Sequence, residues 1–379
     1  MKLLLHHARL ISPDKEIPDG ALLLENGRVS AVIEPGEPLP EADESIDIGG
    51  RLVMPGFIDI HSHGADGCDV CDDREESIPH IARRKLQEGV TTWLPTTLTQ
   101  PPDKLESIAA KCAAYMAAPT ACRAPGMHVE GPFINRKNAG AQNPEFVRPP
   151  DVAELERVHA IAPALILSIA PDIEDADVVI ERATELGITC SAAHTSATAA
   201  RIFDAKTAGL RHLTHFCNAM TPIHHREIGV VGAGLLDDDL MIELICDTIH
   251  LCPEMLKLVF KVVPVERLML ITDSTAASWI GEGDVNLGGL ACVVKNGRAV
   301  LKDGGALAGS TLLYNEGLRN VAKLTGMPLN QLVKTTSWNQ ACSLGLDGFG
   351  KLEPGYHADL VVMDQDFHVL QTFVGGEIR

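Results

Sequence analysis

The stretch "PGFIDIHSHGADGCDVCDD", residues 55–73, carries two metal-binding patterns, His61 and His63 as H-x-H and Cys68 and Cys71 as C-x-x-C. Residues i and i+2 of a strand face the same way, so both imidazoles can address one point. The Cys pair has no second C-x-x-C to complete a four-cysteine zinc site and no thioredoxin-like context for redox work. It is expected in a loop lining the pocket, with no metal on sulfur. Glu130 in "MHVEGPF", His194 in "SAAHTSAT", His215 in "LTHFCNAM" and Asp273 in "LITDSTA" lie at the ends of other short apolar runs. Each has an ordinary alternative. A strand His can be a hydrogen-bonded core residue, Asp273 a turn cap, and Glu130 a partner of Arg136. Together, however, four His and two carboxylates at equivalent strand ends are costly to bury, and a shared divalent cation offsets that cost.

Such convergence needs strands that end at one level. Apolar runs at 56–63, 91–96, 126–132, 164–171, 188–194, 212–216, 241–248 and 267–273 alternate with helical patterns such as "ESIPHIARRKLQEG" and "PEMLKLVFKVV". Gly89 and Gly187 stand where helix C-caps belong. The pattern predicts an α/β fold, a (β/α)8 TIM barrel over 54–345 with its site at the C-terminal strand ends. The chain ends, 1–53 plus 346–379, predict a small β-sandwich domain, with a hairpin at Asn26-Gly27. "ACVVKNGRAVL", centred on Asn296-Gly297, predicts a β-hairpin insertion over 284–303 near that small domain.

The formal net charge of −19 argues against nucleic acid and anionic membranes as partners. No apolar run is long enough for a membrane span, and the opening "MKLLLHHARLI" is too short and interrupted for a signal peptide. Ten scattered cysteines fit a cytoplasmic, reducing setting rather than a disulfide framework. An anionic substrate would need local positive charge, and "NAMTPIHHREIG" offers His224, His225 and Arg226. Arg226 could instead pair with Glu227 on a solvated loop.

"PGFIDIHSHG" and "GKLEPGYHADLVVMD" resemble the opening and closing signatures of the amidohydrolase superfamily. "GMHVEGPFIN", "AGAQNPEFVRPPD", "HTSAT", "THFCNAMTPIHHREIGVVGA", "ICDTIH", "LITDSTA" and "LAGSTL" occur in the order found in the N-acetylglucosamine-6-phosphate deacetylase family, which the chain resembles end to end. The resemblance implies that Glu130, His194 and His215 hold one metal. It also implies that His61, His63 and Asp273 share a second, with Glu130 bridging, giving two divalent cations per subunit. Zinc suits these ligands, and iron or manganese also fits. Asp273 is then the proton carrier. Asn218, the Ala219 backbone, Arg226 and His250 would hold phosphate and sugar, and Ala141 with Leu307, Ala308 and Gly309 would line the sugar pocket. Gln142 stands where some members place a His; it can donate a hydrogen bond but cannot titrate. The fourth apolar run, "ALILSIAP", has no Lys, which argues against relatives that bridge two metals with a carboxylated lysine. The resemblance further implies a homodimer with Arg226 contributed to the neighbouring site. The alternatives are the galactosamine epimer as substrate and a non-catalytic scaffold of the same fold.

Overall fold

In the computed structural model, which describes residues 2–379, the eight apolar runs form one parallel sheet whose strands follow chain order. They are β1 (Phe57–Ser62), β2 (Val90–Thr97), β3 (Met127–Glu130), β4 (Ala164–Ile169), β5 (Thr189–Ala192), β6 (Leu210–Leu213), β7 (Met241–Ile245) and β8 (Leu268–Ile271). Eight helices follow them in turn, α1 (Ser77–Gln87), α2 (Pro102–Ala117), α3 (Val152–Ile161), α4 (Ala176–Glu185), α5 (Ala199–Ala208), α6 (Gly229–Leu236), α7 (Pro253–Val262) and α8 (Tyr314–Thr325). Such strands are covered on both faces, which explains why they read as continuous apolar runs rather than alternating ones. The predicted sixth strand, 212–216, lies at 210–213, because Thr214 and His215 already belong to the loop.

Helix α1 shows how the helices attach. Ile78, Ile81, Ala82, Lys85 and Leu86 form its buried stripe at helical spacing. Gly89, at φ 82°, then takes the left-handed turn into β2.

The barrel closes without a ladder between β8 and β1. At the C-terminal end of β1, residues just past β8 bridge to it: Asp273 N donates to His61 O (2.9 Å) and Ser62 pairs with Ser274. Below them the seam is stitched by side chains. Lys85 Nζ donates to Asp59 Oδ2 (3.0 Å), Glu88 Oε2 (3.3 Å) and Ser274 Oγ (2.8 Å). Thr272 Oγ1 donates to Asp59 Oδ2 (2.6 Å), and Tyr314 OH reaches Leu270 O (2.9 Å) and Ile58 O (3.3 Å). Lys85, Asp59 and Glu88 are wholly buried.

The chain ends build a second, mostly antiparallel sheet of eight strands. It is one continuous hydrogen-bonded sheet that curls over a shared apolar cluster, so Val29 and Phe373 from its distant strands meet the same core. Leu52–Pro55 pairs antiparallel with Leu360–Met363, joining the two ends of the chain. Alternation makes Leu360–Met363 a strand shared between two cores. Leu360 and Val362 enter the sheet's own core, whereas Val361 and Met363 enter the barrel's. Arg123 adds a bidentate pair with Asp359 (2.8 and 3.2 Å).

The predicted hairpin insertion is a three-stranded antiparallel meander, Gly283–Leu287, Leu290–Lys295 and Arg298–Leu301. The expectation that it sits near the terminal sheet is corrected. Gly288 lies against Leu98 and accepts from Gln100 Nε2 (3.4 Å), which puts the meander at the C-terminal mouth of the barrel.

Candidate metal centre and substrate pocket

Each of the six candidate residues lies at or just beyond the C-terminal end of a strand. His194, His215 and Asp273 each lie two residues past the last residue of β5, β6 and β8, with φ of 46°, 32° and 49°. Left-handed backbone at a non-glycine residue costs about 1–3 kcal/mol and persists where surrounding structure enforces it. Here it turns three strands inward at the same level.

The side chains meet in two groups. Glu130 Oε1 is 3.3 Å from His194 Nε2 and 3.2 Å from His215 Nε2, and those nitrogens are 3.2 Å apart. His63 Nε2 is 3.2 Å from both His61 Nε2 and Asp273 Oδ1, and His61 Nε2 is 3.4 Å from Asp273 Oδ1. Glu130 joins the groups, since its Oε2 lies 3.2 Å from His63 Nε2. Ligands on a tetrahedral ion at zinc-like bond lengths stand about 3.3–3.4 Å apart, so both groups fit a small divalent cation. All six residues are buried. Glu130 does not pair with Arg136, whose guanidinium donates to Val147 O instead, and Asp273 faces the His pair rather than capping a turn.

Electrostatics agree. Burial opposes the His63 imidazolium, yet hydrogen bonds to Asp273 and Glu130 outweigh it and raise His63 to about 9. Burial likewise opposes the charge on Glu130, but His61, His194 and His215 hold it well below the usual carboxylate range. Protons therefore supply positive charge that the carboxylates demand, and a divalent cation would displace them. The far ring nitrogens are also placed. His63 Nδ1 lies 3.2 Å from Thr96 O, and His194 Nδ1 lies 2.8 Å from Asn138 O.

The group opens into a cavity of about 240 Å³. Ala141, Gln142, Asn218, Ala219, His250, Leu307 and Gly309 line it beside His63, Glu130, His194, His215 and Asp273. Gln142 is held at both ends, donating from Nε2 to Glu130 Oε2 (2.5 Å) and accepting from Thr99 N (2.7 Å). His250 is raised above its ordinary value. Burial works against its charge, but the 2.7 Å contact of Nδ1 with Asp247 Oδ2 prevails.

Two expected residues are not brought to this cavity. Ala308 is buried and does not line it, although Leu307 and Gly309 do. Arg226 is exposed on its loop, with Nη1 2.7 Å from His225 Nε2. Nor does it pair with Glu227, whose carboxylate accepts from Ala199 N and Gly229 N. The C-x-x-C loop also misses the cavity. Cys68 and Cys71 are buried in the barrel's apolar cluster, Cys71 Sγ accepts from Leu98 N (3.3 Å), and burial pushes its thiol well up. A loop rich in small residues packs inward and spends its thiols on core contacts.

A family model described as "Amidohydrolase family" matches residues 52–379. The chain belongs to that family. The N-acetylglucosamine-6-phosphate deacetylase of Bacillus subtilis (strain 168) is 34% identical, over 99% of this chain and 96% of its own. The N-acetylgalactosamine-6-phosphate deacetylase of Escherichia coli O157:H7 is also 34% identical, over 100% and 99%. A solved structure of a mutant N-acetyl-D-glucosamine-6-phosphate deacetylase from Mycobacterium smegmatis, in complex with N-acetyl-D-glucosamine-6-phosphate, is 30% identical with a TM-score of 0.93, covering 100% of this chain and 99% of that one.

The interior of this amidohydrolase adds a polar layer beneath the site that the motifs did not single out. His128, His212 and Glu243 are wholly buried inside β3, β6 and β7. His128 Nδ1 meets Ile60 O (2.8 Å) and its Nε2 meets Ser168 Oγ (2.7 Å), while its ring packs 4.5 Å from that of His61. Burial leaves His128 lowered to about 3. The available signal was an ionisable residue within a short apolar strand.

Proposed function

We propose that this amidohydrolase cleaves the acetamide of N-acetyl-D-glucosamine 6-phosphate, giving D-glucosamine 6-phosphate and acetate. The observation that carries the reading is the pair of ligand groups sharing Glu130 at the floor of a sugar-sized cavity. The complex of the Mycobacterium smegmatis relative with this sugar phosphate supports it. His61, His63 and Asp273 would hold one divalent cation and Glu130, His194 and His215 another, with zinc the ion we favour. Bound there, such cations supply Lewis acidity for activating water and polarising the carbonyl. Asp273, ionised and facing the cavity, takes the proton of the attacking water and delivers it to the departing nitrogen. An amide anion leaves poorly, so this delivery is as necessary as the attack. Gln142, fixed by Thr99, offers its amide beside Glu130 but no titrating proton.

The phosphate requires a cation that the cavity lacks, because among the described residues no Lys or Arg lines it. Arg226 on its exposed loop supports a homodimer in which each chain supplies Arg226 to its partner's pocket. Cytoplasmic residence is supported by ten free thiols. We propose a catalytic domain at 54–345 and a terminal domain at 1–53 plus 346–379.

Acetate release from both epimeric sugar phosphates and from unphosphorylated N-acetylglucosamine tests the reading. The gluco phosphate should be cleaved with the highest kcat/KM. Release from neither phosphate refutes the proposal, and preference for the galacto epimer replaces its substrate. Mixing Arg226→Ala chains with Asp273→Asn chains tests the dimer. Random pairing should restore about a quarter of the sites, and no recovery with mixed dimers present excludes sharing.

A further inference from the structure

Glu243 lies in the middle of β7, wholly buried beneath the candidate metal centre. Its Oε1 is 3.2 Å from His212 Nδ1, and His212 Nε2 is in turn hydrogen-bonded to Ser343 Oγ. Its Oε2 has no hydrogen-bond partner and stands 3.6 Å from His61 Nδ1, which also has none. Two buried polar atoms left unpaired while facing each other are an unfavourable arrangement. A small turn of the imidazole closes the gap, provided Nδ1 carries the hydrogen and Nε2 offers its lone pair upward. That Nε2 faces His63 and Asp273.

His61 differs here from its neighbours. His63 and His194 rest on the neutral carbonyls of Thr96 and Asn138, whereas His61 backs onto a carboxylate. A charged acceptor fixes the ring tautomer and makes the opposite nitrogen a stronger donor to a cation. A cation above His61 would also add to the compensation that His212 already gives the buried charge of Glu243.

We infer that Glu243, oriented by His212, is a positioning residue for His61 and strengthens the hold of the His61–His63–Asp273 group on its divalent cation. This rests on the two-cation reading proposed above.

The test is zinc titration of chelator-stripped protein against a competing chelator, alongside thermal melting of the metal-free chain. Glu243→Gln keeps the shape and a neutral acceptor, and Glu243→Leu removes both charge and acceptor. One of the two zinc sites should weaken by about 10–100-fold, more for Leu than for Gln, with the other unchanged. Metal-free melting should hold in Glu243→Gln, which keeps an acceptor for His212 Nδ1, and fall in Glu243→Leu, which leaves that nitrogen unpaired. A purely structural role would instead weaken both zinc sites together. Two zinc sites in the unaltered protein with both unaffected in Glu243→Gln overturn this inference alone, whether or not Glu243→Leu folds. A single zinc in the unaltered protein overturns the two-cation reading and this inference with it.

Discussion

The two ligand groups stand on different kinds of backbone. Glu130 ends β3, and His194 and His215 follow β5 and β6, strands each paired on both sides within the continuous ladder. His61 and His63 on one side, and Asp273 on the other, span the seam where β8 and β1 share no ladder. Main-chain hydrogen bonds set the spacing of the first group. The spacing of the second rests on one short main-chain bridge, Asp273 N to His61 O and His63 N to Ser274 O, braced from below by side chains, above all Lys85 between Asp59, Glu88 and Ser274. A ladder averages over many bonds, so single substitutions scarcely move it. A seam held by one bridge and a few buried charges is more vulnerable to the loss of any one of them.

The comparison can be broken most forcibly at Lys85. Lys85→Met leaves two buried carboxylates uncompensated and should cost about 3–5 kcal/mol of stability by urea unfolding. Its folded fraction should lose the seam cation and keep the ladder cation, and equal loss of both would refute the division. Asp273→Asn should lower turnover by roughly a hundredfold or more while elemental analysis still finds metal on Glu130, His194 and His215. Near-normal turnover would remove Asp273 from the chemistry. His61→Asn combined with His63→Asn should reduce the bound metal from two to one per chain, and an unchanged count would show that the seam group is no site. Thr272→Val removes one hydroxyl from Asp59 and should cost about 1 kcal/mol, with a small selective weakening of the seam cation. No selectivity would make the hydroxyl purely structural.

Much of the ladder was readable in advance, and little of the seam. The eight strands announced themselves as apolar runs and their terminal His and acidic residues as a coincidence too costly to be accidental. The seam was hidden because Lys85 follows Arg83 and Arg84, which reads as a solvated helix face. Only its helical spacing from Ile78, Ile81 and Ala82 placed it on the buried stripe. Glu243 and His212 escaped for a related reason. A lone polar residue in a short strand looks like an edge position, and only closure of the barrel turns it toward the axis. The meander was visible as a hairpin at Asn296-Gly297, whereas its seat over the pocket depends on contacts with Leu98 and Gln100 that local sequence does not encode. Arg226 was legible as a charge, but not its distance from the cavity of its own chain.

The pairing of Leu52–Pro55 with Leu360–Met363 imposes an order on the chain's birth. At translation rates of about 5–20 residues per second, the barrel between them takes on the order of tens of seconds to emerge. Throughout that interval the strand Leu52–Pro55 lacks its Leu360–Met363 partner, and Val53 and Met54, buried in the finished fold, stand on an open edge. Unpaired apolar edges recruit other strands. A ribosome that stalls before Leu360 therefore leaves a nascent chain with an apolar edge, made early, still open.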